Sequence, residues 1–412
     1  MRIERCKGCN DLNVQDMLRF RSVEAAFLET ARSYGYDEVR TPTLEYLYLF
    51  TSAGTLTSGM LRRVYSFLDW DGWSGERVVL KPDTTIPTAR FYVEQMQQQK
   101  HPARLSYVTN SFVFEETGTK ARERWQCGAE LIGDTGDAVD AELIAFACDA
   151  VKRVGLEEIE IKLSHVGLIR GLLSSFGLNH DEQSTILSRI LDGETSVLES
   201  MHTDKPKAVE TLKLLLDTTG NSANFLKNMR AIFAADVPEV QYDILRFITT
   251  IEMIEAMGLH YQIDFTSGKG FEYYTGIIFR IFVSGINVGG GGRYDKLIEM
   301  MGGVPSPAAG FGLYIDRLSA QINIDDLYIP VSQRLSASVT ADAMQLGCEV
   351  VDLLRRAGLV VIMGSRGQVA HNCGWKLEVA SDEPQLVLLN CGTGEKSVCS
   401  SAIEVVALVG LG

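Results

Sequence analysis

Two thiols near the start of the chain, Cys6 and Cys9 in CKGCNDL, have the Cys-x-x-Cys spacing that can hold zinc or shuttle electrons. Zinc needs about four ligands, and neither a second Cys-x-x-Cys nor a paired-histidine spacing follows. With Gly8, Asn10 and Asp11 around it, the segment reads as a turn entering a helix. The eight cysteines are scattered through a long chain, a pattern of reduced thiols rather than of a disulfide framework. No metal or cofactor is expected. A second stretch, YVTNSFVFEE (107–116), is a strand that runs into paired acids.

Bulk properties limit what such residues can serve. At 412 residues, 46% hydrophobic and 22% charged, the chain is long enough for two or three domains with real cores. A formal charge of -14 argues against broad affinity for nucleic acid, which draws on Lys and Arg releasing phosphate counterions. MRIERCKGCN has no apolar leader segment, and no stretch reaches the roughly 18 consecutive apolar residues of a membrane helix. A cytoplasmic location is the expectation.

The elements that must position the chemistry follow from periodicity. Residues 16–34 carry apolar positions at helical spacing, with Gly35 just past the end. YDEVRTPTLEYLYLF reads as a short strand interrupted by Pro42, and further strands are expected around VVLKPD and from 107 to 115. Residues 138–155 form an amphipathic helix ending at a glycine. From about 165 to 260 the pattern is almost all helical, which predicts an insertion. Strands return at 260–290; GGGGRYDKLIEMMGG then reads as a glycine-rich turn leading into a helix, and GFGLYIDRLSAQI as a further helix. Beyond a linker, 326–334 with Pro330, residues 335–412 alternate strand and helix as a small α/β domain.

The segments KGCNDL, YGYDEVRTPTLEYLYLF, LKPDTTIPTAR, RERWQCGAELIG, KGFEYYTGIIF, GGGGRYDKL and PAAGFGLYIDRL stand in the order and rough spacing of the histidyl-tRNA synthetase family, which most of residues 5–320 thus resembles. The resemblance implies an α+β fold: a class II aminoacyl-tRNA synthetase-like core with an antiparallel sheet over 1–325, a helical insertion, and an anticodon-binding-like α/β domain at 335–412. Residues 331–412 hold 6 Lys plus Arg against 8 Asp plus Glu, a balance unlike an RNA-binding face.

Two kinds of protein share that fold: the synthetase, and a paralogue that serves as regulatory subunit to a short catalytic chain of ATP phosphoribosyltransferase at the first step of histidine biosynthesis. A free histidine needs acceptors for its ammonium and a polar partner for its ring. The resemblance places Asp83, Thr85 and Gln126 at the amino group, and Glu130 and Tyr274 at the ring with Tyr273 beside them. On the ATP side it meets departures. Val113 stands where the family has a phosphate-binding arginine, Arg124 where it has an adenine-stacking aromatic, Lys269 in place of an arginine, and Tyr314 in place of a glycine. Arg317 keeps its expected place. A valine cannot bind a phosphate, and losing such an electrostatic group commonly costs several kcal/mol of transition-state stabilisation.

The expectation is a non-catalytic regulatory subunit that retains an L-histidine pocket, built on a homodimer core within a hetero-oligomer. A divergent synthetase and a histidine sensor for another partner remain open.

Overall fold

The computed structural model of the chain describes residues 3–52, 63–70, 75–99, 101–115, 120–191, 194–199, 206–236, 240–266, 273–323, 334–365 and 373–410. It divides into two units, Met1–Ile324 and Asp325–Gly412.

The first helix, Val14–Ser33, starts where the sequence supplies its own cap. Asn13 Oδ1 accepts from the Gln15 and Asp16 amides at 2.8 and 3.1 Å, and Asp16 Oδ2 accepts from Asn13 N at 3.1 Å. This reciprocal box satisfies backbone donors that the first turn cannot pair internally. One face of the helix buries Phe20, Val23, Phe27 and Ala31. A second helix, Val139–Arg153, buries Leu143, Phe146, Ala147 and Val151. Phe146 lies between the two layers, stacked 5.6 Å from Phe27 and edge-on 5.0 Å from Phe311 of the sheet.

In chain order the strands of the first unit are β1 (Asp37–Glu38), β2 (Leu44–Tyr46), β3 (Ser66–Trp70), β4 (Gly75–Leu80), β5 (Ala103–Phe112), β6 (Glu123–Ile132), β7 (Ile159–His165), β8 (Thr219–Gly220), β9 (Tyr261–Asp264), β10 (Ile277–Val283), β11 (Ile286–Arg293) and β12 (Ala308–Tyr314). Nine of them form one sheet in the order β1-β5-β6-β12-β11-β10-β7-β9-β8. Its centre, from β5 through β7, is antiparallel at every pair, with parallel pairs at β1–β5 and β7–β9. Strands β2, β4 and β3 make a separate small sheet. The expected antiparallel core is therefore present, and its period of two fixes which residues meet. Cys127, Ala129, Leu131, Phe311 and Leu313 face the two helices, while Gln126, Gly128, Glu130, Gly310 and Gly312 face the other way.

Two sequence expectations are corrected here. GGGGR is not a turn but the end of β11, and GFGLY is strand β12, leaving only Ile315–Ser319 helical in that segment. Glycine composition imitates a turn, but in these strands it answers backbone crowding. A Cβ on Gly289, Gly290, Gly291 or Gly292 would overlap a carbonyl oxygen of the neighbouring strand. The helix after β11 is only Leu297–Met300.

Between β7 and β9 the described helices are Val166–Ser174, His180–Leu191, Pro206–Asp217, Ala223–Asp236 and Gln241–Ala256, with β8 returning to the sheet edge. The second unit has β13 (Arg334–Val339), β14 (Val360–Ser365), β15 (Trp375–Val379), β16 (Leu386–Asn390) and β17 (Lys396–Cys399) in the order β14-β13-β15-β16-β17. The helices Met344–Arg356 and Ala402–Val409 bury Val351, Leu354 and Val405 with Leu335, Leu377 and Leu388. Of the linker expected at 326–334, only Arg334 lies within the described residues, as the first residue of β13.

Phe146 is fully buried between helices and sheet. Phe146→Ala is expected to lower the unfolding free energy of the first unit by about 3–5 kcal/mol through lost transfer energy and a residual cavity. A urea titration followed by circular dichroism checks it; a loss under about 1 kcal/mol would place the core elsewhere.

Candidate functional site

On the face of the sheet away from the two long helices, a carboxylate is enclosed by hydroxyls. Glu130, on β6, is 1% exposed. Tyr107 OH donates to its Oε1 at 3.1 Å, and Tyr294 OH donates to its Oε2. The Thr85 side chain bonds it as well. Below lies Gly310, the β12 residue paired with Glu130, where any Cβ would overlap the carboxylate. Only glycine fits there.

Each neighbour is positioned by a different element. Tyr107 pairs with Gly128 across β5 and β6, where a Cβ would stand 2.6 Å from its hydroxyl. Tyr294 is held by an ion-paired turn. Arg293 Nε contacts both Asp140 oxygens at 3.1 Å, its Nη1 donates to Asp295 Oδ1 at 3.0 Å, and the same Asp295 oxygen accepts from Ala308 N at 3.1 Å. Tyr273 and Tyr274 complete the cage. Their rings are 5.0 Å apart, Tyr273 meets Tyr294 edge-on at 5.6 Å, and a Cβ on Gly292 would come within 3.0 Å of the Tyr274 ring.

Asp83 sits at the start of the helix Thr85–Gln95, its Oδ1 accepting from Ile86 N at 2.9 Å, with further bonds from the Thr84 and Thr85 amides. Gln126 Nε2 donates to Thr84 Oγ1 and reaches Tyr107 OH at 3.5 Å. The six residues expected at a histidine pocket, Asp83, Thr85, Gln126, Glu130, Tyr273 and Tyr274, thus lie in one cluster. Sequence reasoning missed Tyr107, Thr84, Tyr294 and Gly310. It also missed Lys81, a fully buried lysine whose Nζ donates to Thr41 O and Oγ1 at 3.4 and 3.3 Å. Tyr294 belongs to the GGRYD block, so the resemblance carried its signal; Tyr107 had none without the strand register.

Burial dominates the electrostatics. Desolvation pushes Glu130 up to about 8, against the hydrogen bonds from Tyr294, Thr85 and Tyr107 and reinforced by the charge of Asp83. Desolvation likewise raises Asp83 to about 6, opposed by its three backbone bonds, and lowers Lys81 to about 8. At neutral pH Glu130 is therefore mostly protonated, able to donate as well as accept. A polar ring that offers one donor and one acceptor suits such a group. In this conformation the carboxyl is enclosed, so a ligand reaching it displaces part of the tyrosine cage.

The positions expected at the nucleotide side gather at the other end of the same face. Val113 donates its amide to Arg122 O at 2.9 Å and presents only a half-buried isopropyl group. Arg124 pairs with Ser111; burial lowers its pKa, opposed by Tyr314 and reinforced by Arg317 and Arg63. The Arg317 guanidinium stacks 4.5 Å over the Tyr314 ring and donates to Asn287 O at 2.6 Å and Oδ1 at 3.1 Å. Tyr314 and the Arg317–Asn287 contact occupy this corner with the protein's own groups. Lys269 lies outside the described residues. Among the described residues no group of three or more His, Cys, Asp or Glu could hold a metal ion, and no helix is long and apolar enough to cross a membrane.

A nine-stranded, mainly antiparallel sheet with a tyrosine-caged glutamate defines a histidyl-tRNA synthetase-like protein, and residues 8–318 match the family model described as histidyl-tRNA synthetase. The chain is similar to a solved "ATP phosphoribosyltransferase regulatory subunit/histidyl-tRNA synthetase" from Bacillus halodurans, with TM-score 0.78, 24% identity, and 90% of this chain and 94% of that one covered. It is 31% identical over 399 residues to the histidine–tRNA ligase of Methanocaldococcus jannaschii, covering 93% of this chain and 92% of that protein. It is 48% identical over 381 residues to an ATP phosphoribosyltransferase regulatory subunit of Dehalococcoides mccartyi, covering 92% of both. Within the histidyl-tRNA synthetase-like proteins, the chain belongs to the family of ATP phosphoribosyltransferase regulatory subunits.

The buried carboxyl gives a pH signature. Its folded-state pKa, about 8, lies above the ordinary 4.5, so the folded chain holds the proton more tightly. That contribution is complete below about 4.5 and is lost as pH rises through about 8. The stability of the parent minus that of Glu130→Gln is expected to fall between those limits, with a slope approaching about 1.4 kcal/mol per pH unit. Thermal melts of both proteins across the range test this, and a flat difference would mean that Glu130 is ionised at neutral pH.

Proposed function

We propose that the chain is a non-catalytic subunit that works with a short ATP phosphoribosyltransferase catalytic chain in the cytoplasm, at the first step of histidine biosynthesis, and binds L-histidine in the Glu130 cluster. The observation that carries this is the contrast within one sheet face. The cluster of Asp83, Thr85, Gln126, Glu130 and Tyr274 is chemically suited to histidine, while the neighbouring corner has the uncharged side chain of Val113 and Tyr314 stacked against Arg317. Such a site holds an amino acid but gives no grip on a transferring phosphorus centre. The 48% identity to regulatory subunits supports the same reading.

Regulation through binding carries a linkage requirement. If histidine disfavours the active state of the catalytic chain, substrates that favour that state weaken histidine binding by the same factor. Calorimetric titrations of histidine into the assembled complex, with and without phosphoribosyl pyrophosphate, test it; equal affinities would defeat histidine feedback at this site. Replacing the protonated carboxyl that faces the ring, in Glu130→Gln, is expected to weaken histidine binding about 2- to 10-fold, the range of a hydrogen bond between neutral groups.

The identity to a histidine–tRNA ligase keeps one second reading, an active synthetase. Histidine-dependent exchange of pyrophosphate into ATP decides between the two. No exchange is expected from the parent, and none from Val113→Arg, because the Tyr314 ring and the Arg317–Asn287 contact still occupy the corner.

The small sheet supports a homodimer core. By register Leu44, Tyr46 and Phe67 lie on one face of this sheet and Leu68 and Trp70 on the other; all five are exposed, as is Tyr48 in the adjoining helix, and Trp70 keeps 66% of its surface. Grouped aromatics of this kind mark an interaction surface. Trp70→Glu is expected to shift the isolated chain from dimer to monomer in sedimentation velocity; an unchanged dimer would place the interface elsewhere. The second unit, in this reading, is inherited without engaging tRNA.

A further inference from the structure

Four cysteines belong to the first unit, and two of them, Cys127 and Cys148, are fully buried. Cys6 is exposed and Cys9 half-buried, both lining an open cavity of about 560 Å³ with Arg5, Lys7, Asn10 and Lys120. Cys9 N donates to Cys6 O at 3.2 Å, and Gly8, third of the four residues, has φ +75. That is the hydrogen bond and left-handed glycine of a tight turn, which brings the first and fourth Cα atoms within about 7 Å. A disulfide requires a Cα separation of about 4.4–6.8 Å. The turn that the sequence predicts thus brings the two Cα atoms near the range in which a bridge between its thiols closes.

The turn is also tied to the site. Gly8 O accepts from Arg122 N at 2.7 Å, and a Cβ at Gly8 would meet Arg122 Cγ at 2.7 Å and Lys120 O at 2.8 Å. Arg122 O in turn accepts from Val113 N, while the Arg122 guanidinium bonds Glu115 O and lies 4.9 Å over the Phe114 ring. The residue between the two thiols' turn and the β5–β6 connection is therefore the one that also holds Val113.

We propose that Cys6 and Cys9 are a reversible redox pair whose disulfide fixes the turn and, through Gly8 and Arg122, the connection that carries Val113. The oxidant is a low-molecular-weight disulfide. The exposed Cys6 thiolate attacks one of its sulfurs, forming a mixed disulfide and releasing one thiolate. Cys9 then attacks the Cys6 sulfur, forming the internal bond and releasing the second thiolate. The two cysteines lose two electrons, which reduce the oxidant's sulfur–sulfur bond, and their two protons pass to the released thiols.

The test uses the full chain equilibrated in glutathione buffers of increasing oxidation, acid-quenched, alkylated with N-ethylmaleimide and digested with a glutamate-specific protease. The peptide that follows Glu4 is expected to lose both alkylation sites together, and two hydrogens, with no glutathione attached. Cys9→Ser is expected to stop at a glutathione adduct on Cys6. Independent alkylation of Cys6 and Cys9 across the range, or glutathione retained on Cys6 of the parent, would overturn the pair. Hydrogen exchange at the Arg122 amide is the second readout. Slower exchange in the oxidised chain is expected, and an unchanged rate would overturn the link to the connection.

Discussion

The interaction on which this structure turns is the burial of the Glu130 carboxyl against strands that have no side chains beneath it. A carboxyl removed from water must either lose its charge or be surrounded by donors. Glu130 does both: its pKa rises to about 8, and hydroxyls of Tyr107, Tyr294 and Thr85 bond it. Room for that arrangement exists because Gly128, Gly310 and Gly292 leave the floor bare. The glycines weaken strand propensity locally, and packing of Phe311, Phe279 and Phe146 on the opposite face offsets the loss.

The same sheet face divides into two chemistries. One half is a closed set of tyrosines and protonatable acids that can meet a small polar ring. The other gathers Arg124, Arg317 and Tyr314, with Val113 just past the end of β5. Binding and group transfer make separate demands on a protein: the first needs complementary polar partners, the second charge placed where a transition state develops it. The polar partners lie in one half of this face, and Val113 and the Tyr314 ring lie in the other.

Legibility followed the range of the forces involved. The capped helix Val14–Ser33 and the amphipathic Val139–Arg153 were readable because their signals, a side-chain cap and a 3.6-residue period, lie within a few residues. The glycine-rich strands were misread for the converse reason. Nothing within GGGGR distinguishes a turn from a strand pressed between two backbones; the distinction lies in the carbonyls of β10 and β12, some ten to twenty residues away. Six cluster residues were named from their motif positions, yet Tyr107 escaped because its partner Gly128 is identified only by the β5–β6 register.

By itself the sequence determined the order of helices and strands around most of the core, and its ordered motifs carried the resemblance to the family. Periodicity gave the elements, and motif residues gave the resemblance. Only the tertiary structure decided that Glu130 is enclosed and protonated, that Lys81 is buried beneath the site, and that the Cys6–Cys9 turn is clamped to Arg122. Desolvation and close approach depend on which distant segments meet, and a one-residue change in the register of β6 would turn Glu130 to the other face.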